Sequence, residues 1–185
     1  MKATGNDPNS WSRDPRPSPD GTAISFAAVA SDLVAGDTGA VDIFVADTAT
    51  LTVRRVSARA GTQLAPNGDS DGADVSDGGR FVSFASTASD LVATDTGGFQ
   101  DVFVRDMVSG AVELASVSAG GQGNGASSKS AITPDGCAVA FNSAATNLVA
   151  DSIAGGDKTM VRTRCGMPDT VIASLTSTGV MINVP

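Results

Sequence analysis

The chain has 185 residues, of which 41% are hydrophobic, and a formal net charge of −8; it is long and apolar enough to bury a core as one ordinary domain. The acidic balance disfavours nucleic acid, whose phosphates demand a basic face, and anionic membrane surfaces, and no run approaches the roughly 18 apolar residues of a spanning helix. All but one of the 20 acidic residues are Asp, the exception being Glu113, and Asp with many Gly, Ser and Thr favours strands joined by tight turns over helices.

The chain opens with MKATGNDPNSWSRDPRPSPDG, which lacks the apolar core of a signal peptide. The expectation is either that a leader has been removed or that the chain was never exported. From there the sequence repeats. Asp20-Gly21, Asp77-Gly78 and Asp135-Gly136 lie 57 and 58 residues apart, and Phe26, Phe84 and Phe141 lie 58 and 57 apart. Asn9, Asn67 and Asn124 keep the same spacing, as do Asp32-Leu33-Val34, Asp90-Leu91-Val92 and Asn147-Leu148-Val149. Such a period marks a repeat architecture, with units at about residues 9–66, 67–123 and 124–182 of a single domain covering 1–185.

Each unit reads as four strands. The first ends at the Asp-Gly turn, as in Ala73-Asp74-Val75-Ser76. The second follows it as TAISFAAV, RFVSFAS or CAVAFNS; the third is VDIFVAD, QDVFVRD or KTMVRT; the fourth is LTVRRVS, AVELASVS or TVIASLTS. In the first unit Ile24, Phe26 and Ala28 alternate with Ala23, Ser25 and Ala27, giving a bulky face and a small face that suit stacked sheets. Four short antiparallel strands per repeat is the pattern of a β-propeller blade; a twelve-stranded sandwich is the alternative.

SPDG at Ser18–Gly21, TPDG at Thr133–Gly136, the loop FASTASDLVATDT and the strand DVFVRD resemble the repeats of TolB-like β-propellers. The resemblance covers nearly the whole chain. It implies an all-β propeller fold of three four-stranded blades, an extracytoplasmic (periplasmic or secreted) location, and use as an interaction scaffold. Propellers have about 4–8 blades, so three leave two apolar faces open. The expectation is closure by a second copy, giving six blades in a C2 homodimer, or by missing blades of a larger propeller. The apolar tail at 177–185 is a candidate interface, with a packed or frayed end as the alternative.

Cys137 starts the second strand of the last unit and Cys165 follows its third; antiparallel neighbours bring these ends together, so a disulfide is expected, with two buried thiols as the alternative. A bridge implies an oxidising compartment. The loop between the second and third strands carries Asp32, Asp37 and Asp42, then Asp90, Asp95 and Asp101, with Asn147, Asp151 and Asp157 in the third unit. Carboxylates gathered in one loop suit a hard cation, which makes Asp37, Asp42, Asp95 and Asp101 candidate Ca2+ ligands; the same residues also cap backbone N–H groups in turns. Asn67, Asp69, Asp71 and Gly72 match the start of a Ca2+ loop, but Gly78 stands where a bidentate Glu belongs. No other cofactor is expected.

With no His and no Tyr, the usual general base and triad are missing. The expected function is therefore a non-catalytic scaffold that binds protein or saccharide and associates with itself through its open faces. The alternative is an Asp-based or metal-dependent hydrolase or lyase acting on a saccharide. Trp11 is read as packed on the first blade or anchoring an interface. Arg54, Arg55 and Arg59 are read as a solvated blade edge whose charge blocks strand addition.

Overall fold

The structure, a computed structural model, describes residues 8–96, 98–149 and 157–173. Each repeat folds into one antiparallel four-stranded sheet whose strands pair in chain order. The first holds β1 (Ser12–Pro17), β2 (Ala23–Ala28), β3 (Asp42–Asp47) and β4 (Val53–Arg55). The second holds β5 (Ser70–Val75), β6 (Phe81–Ser86), β7 (Asp101–Asp106) and β8 (Val112–Leu114). After a two-stranded hairpin, β9 (Val117–Ser118) and β10 (Gly121–Gln122), the third holds β11 (Ser127–Ile132), β12 (Ala138–Ser143), β13 (Lys158–Thr163) and β14 (Thr170–Ile172). The all-β expectation and the four strands per repeat are met; the small hairpin is an addition.

The Asp-Gly turns explain their own recurrence. Gly21, Gly78 and Gly136 have φ of 72°, 67° and 73°, a left-handed conformation that costs glycine least. Beside them Ser18 or Thr133 donates its hydroxyl to Asp20 or Asp135 and accepts the N–H of Ala23 or Ala138. The turns also link sheet to sheet, because Gly78 N–H donates to Asp20 Oδ2 at 2.8 Å and Asp77 N–H to the Pro134 carbonyl at 2.9 Å.

The sheets stack bulky face on small face. Ala23, Ala27, Ile43 and Val45 of the first sheet meet Val75, Val82, Phe84 and Phe103 of the second in one core. Ala85, Val102 and Val104, on the other side of the second sheet, meet Val139, Phe141 and Met160 of the third. The ring pairs Phe26–Phe44 and Phe84–Phe103 hold the same place in their sheets, each with centroids 5.8 Å apart. Phe84 and Phe103 are covered by the first sheet, whereas Ile24 and Phe26 are only half-buried. At the far end Ala138, Ala140 and Val161 are half-buried on the small face of the third sheet.

Cys137 and Cys165 form the expected disulfide, with Cα atoms 5.0 Å apart. They flank the β12–β13 register pair Ala138–Thr163. The tail at 177–185 and Asp151 lie outside the described residues. Among those residues no helix is long and apolar enough to cross a membrane.

Candidate functional site

The first strands of the three sheets lie side by side, and each breaks its ladder at the same point. The register shifts between Arg13 and Arg16, between Asp71 and Asp74, and between Ser128 and Ala131. At each break stands a residue in the left-handed region: Asp14 at φ 54°, Gly72 at 59° and Lys129 at 54°. Non-glycine residues are uncommon there, and strain of this kind, about 1–3 kcal/mol per residue, clusters at functional positions. The bulges line a cavity of about 780 Å3.

The cavity wall is charged with both signs. Arg13 pairs with Asp14 at 3.3 Å, both well exposed. Asp74 Oδ2 accepts the Ile132 N–H at 2.9 Å, and Ser130 donates to the Gly72 carbonyl at 3.0 Å, so the second and third sheets are fastened beneath the cavity. Asp71 accepts from the Gln100 amide at 3.1 Å; burial, opposed by Arg13, pushes its carboxyl above the ordinary range. Arg16 and Lys129 complete the wall, and neither side chain has an acidic partner within 4 Å among the described residues. Trp11, just before β1, is not buried against the first sheet. It is 45% exposed, with the Arg13 guanidinium 4.8 Å from its ring centre, a cation–π contact.

The candidate Ca2+ ligands come together in pairs, each around a protein side chain. Arg55 Nη2 lies 3.3 Å from Asp37 Oδ1, and Arg55 Nε 3.3 Å from Asp42 Oδ2, with all three side chains at 1% exposure or less. Arg55 is thus no solvated edge residue; it is the buried cation between two acids, and also donates to the Gln63 carbonyl at 3.1 Å. Its neighbour Arg54 and Arg59 are exposed as expected, Arg59 pairing with Asp90 at 2.8 Å. Ser57 donates to Asp42 at 2.5 Å, yet the loss of hydration on burial dominates and pushes the Asp42 carboxyl up to about 6.

In the second repeat Leu114 takes the register place of Arg55, and an amide replaces the guanidinium. Gln122 Nε2 donates to Asp95 Oδ1 at 2.8 Å and to Asp101 Oδ2 at 2.7 Å, while Ser116 donates to Asp101 at 2.6 Å. In the third, register puts Lys158, and not Asp157, in the place of Asp101: Lys158 pairs with Ser143 as Asp101 pairs with Ser86. Asp157 is one position early and exposed.

The remaining acids of the loops serve the backbone. Asn67 N–H donates to Asp90, its Nδ2 to Ser89, and its Oδ1 accepts the Ser89 N–H. The same three bonds join Asn9 to Asp32 and Ser31, and Asn124 to Asn147 and Thr146. Asn147 can replace Asp here because the clamp needs an acceptor oxygen and no charge. The Ca2+-loop match also disperses: Asn67 is in this clamp, Asp69 accepts the Val41 N–H at 3.1 Å, Asp71 faces the cavity and Gly72 forms the bulge.

The fold is similar to that of a protein provisionally assigned as TolB from Agrobacterium tumefaciens, with a TM-score of 0.53 and 21% identity over 90% of this chain and 50% of that one. It is also similar to a prolyl endopeptidase structure, with a TM-score of 0.51 and 12% identity over 92% of this chain and 23% of that one. The chain therefore spans half the length of the first and under a quarter of the second. No protein-family model matches the chain, and no curated protein does. The architecture is that of a TolB-like β-propeller, as the SPDG and DVFVRD motifs implied.

Proposed function

We propose that the chain is a non-catalytic β-propeller scaffold that holds an extended, acidic segment of a partner protein in the 780 Å3 cavity along its first strands. One observation carries this reading: three equivalent bulges converge on a single cavity that presents Arg16 and Lys129, neither with an acidic partner among the described residues. Complementary charge would steer and seat such a segment, while Asp71 and Asp74 would set its register by excluding acidic side chains nearby. Catalysis is left out of the proposal because the sequence has no His or Tyr, the disulfide takes both thiols, and the acid pairs are engaged by Arg55 and Gln122. Ca2+ is left out too, since it would have to displace Arg55 at one pair or Gln122 at the other. The disulfide supports an extracytoplasmic location.

Fluorescence anisotropy with a labelled Asp/Glu-rich peptide, and a Lys-rich peptide as control, tests the reading. The acidic peptide should bind saturably and the basic one should not; a charge-reversed Arg16→Glu/Lys129→Glu chain should bind about tenfold more weakly or worse, as expected for lost charged contacts. Equal affinity of the two chains, or no saturable binding, sinks it. Binding to a neutral glycan instead would redirect the scaffold to saccharide.

A further inference from the structure

A second cavity, about 360 Å3, opens at the other end of the contact between the first and second sheets, between the loop at 61–63 and the turn at 107–110. Two guanidinium groups line it. Arg105, on β7, is 1% exposed; its Nη1 donates to the Ala58 carbonyl at 2.7 Å and its Nη2 to the Thr62 carbonyl at 2.8 Å, and its Nε has no partner. Arg54, on β4, reaches across from the first sheet and donates to the Met107 carbonyl at 3.0 Å. Among the described residues neither has a carboxylate within ion-pair distance. Arg54 adds to the turn hydrogen bonds that hold the Asp47 carboxyl below its ordinary range. Burial, and then the like charge of Arg54, make the Arg105 cation less favourable than in water.

The next junction shows what is missing. One repeat on, Glu113 takes the place of Arg54, since Arg54 pairs in register with Val45 and Glu113 with Val104. Glu113 crosses to the third sheet and is paired with Arg164. Arg164 stands two residues past Arg162, which holds the register place of Arg105, and so at the place of Met107; there the crossing acid meets a base, whereas here the crossing base meets only the Met107 carbonyl. A buried cation without a counter-charge is costly, and a guanidinium fork is shaped for the oxygens of carboxylate, phosphate or sulfate.

We propose that the cavity lined by Arg54 and Arg105 is an oxyanion site, which binds a phosphate, sulfate or carboxylate group and supplies the counter-charge that these two guanidinium groups do not find among the described residues. Bound there, the anion fastens the first sheet to the second.

Calorimetry and thermal melts of the full chain with inorganic phosphate, sulfate and acetate, at constant ionic strength in chloride, test it. The wild type should bind phosphate saturably at one site and melt higher with it. Arg54→Gln, at an exposed position that leaves the core intact, should lose at least about tenfold in affinity, as removal of a charged hydrogen bond does; Arg54→Lys should keep part of it. Preference for phosphate and sulfate over acetate would assign a tetrahedral ligand, and the reverse a carboxylate. No saturable effect of any of the three anions, or phosphate affinity unchanged in Arg54→Gln, overturns the site.

Discussion

Asp42 carries the most costly charge among the buried acids. In the unfolded chain it titrates near 3.8; folded, burial raises it to about 6. Between those values the folded state holds a proton that the unfolded state has released. The group's contribution to stability is therefore full below the lower value and lost as pH rises through the upper one. Acidification from pH 7 to 5 should raise the melting temperature of the wild type, by on the order of 1 kcal/mol in stability, and much less so that of Asp42→Asn. Asp20, Asp47, Asp106 and Asp135 have carboxyls held low by turn hydrogen bonds, so they stay ionised over that range. A parallel pH profile in both proteins would refute the assignment. The Asp37–Asp42 pair was legible as two acids in a loop; its cation was not, because Arg55 belongs to a strand in which alternation says only that it faces opposite to Arg54. Gln122 was invisible for a plainer reason: an amide in a connector carries no sequence signal until the fold brings it to Asp95 and Asp101.

At the scale of elements, the strands were the most legible part, since period-two alternation and a repeat three times over point to the same boundaries. The β9–β10 hairpin was not legible, as two-residue strands have no periodicity to read. The disulfide was, because antiparallel order brings the start of β12 beside the end of β13. It closes a span of 28 residues, which in the chain-entropy view stabilises by roughly 3–4 kcal/mol. Cys137→Ser/Cys165→Ser should lose about that much in urea unfolding, with faster amide exchange concentrated in β12 and β13. A loss well under 1 kcal/mol would mean that the strands are held by Phe141 and Met160 packing alone.

At the scale of the molecule, the two end faces are complementary: Ile24 and Phe26 on one, Ala138, Ala140 and Val161 on the other. The same bulky-on-small contact joins the first sheet to the second and the second to the third. We therefore propose head-to-tail closure by a second copy, giving six blades. Light scattering after gel filtration should give twice the 18.4 kDa chain mass, and Phe26→Asp should halve it. A concentration-independent monomer would assign the faces instead to further sheets of a longer polypeptide.

The stacking rule has an evolutionary consequence. A unit of 57 or 58 residues that shows one bulky and one small face is an interchangeable part, and a gene that duplicates or drops a whole unit makes no junction of a new kind. What resists free shuffling is what only one unit possesses: Arg55 in the first, Gln122 in the second, the disulfide in the third. Those private features turn three copies of one ancestor into a fixed order.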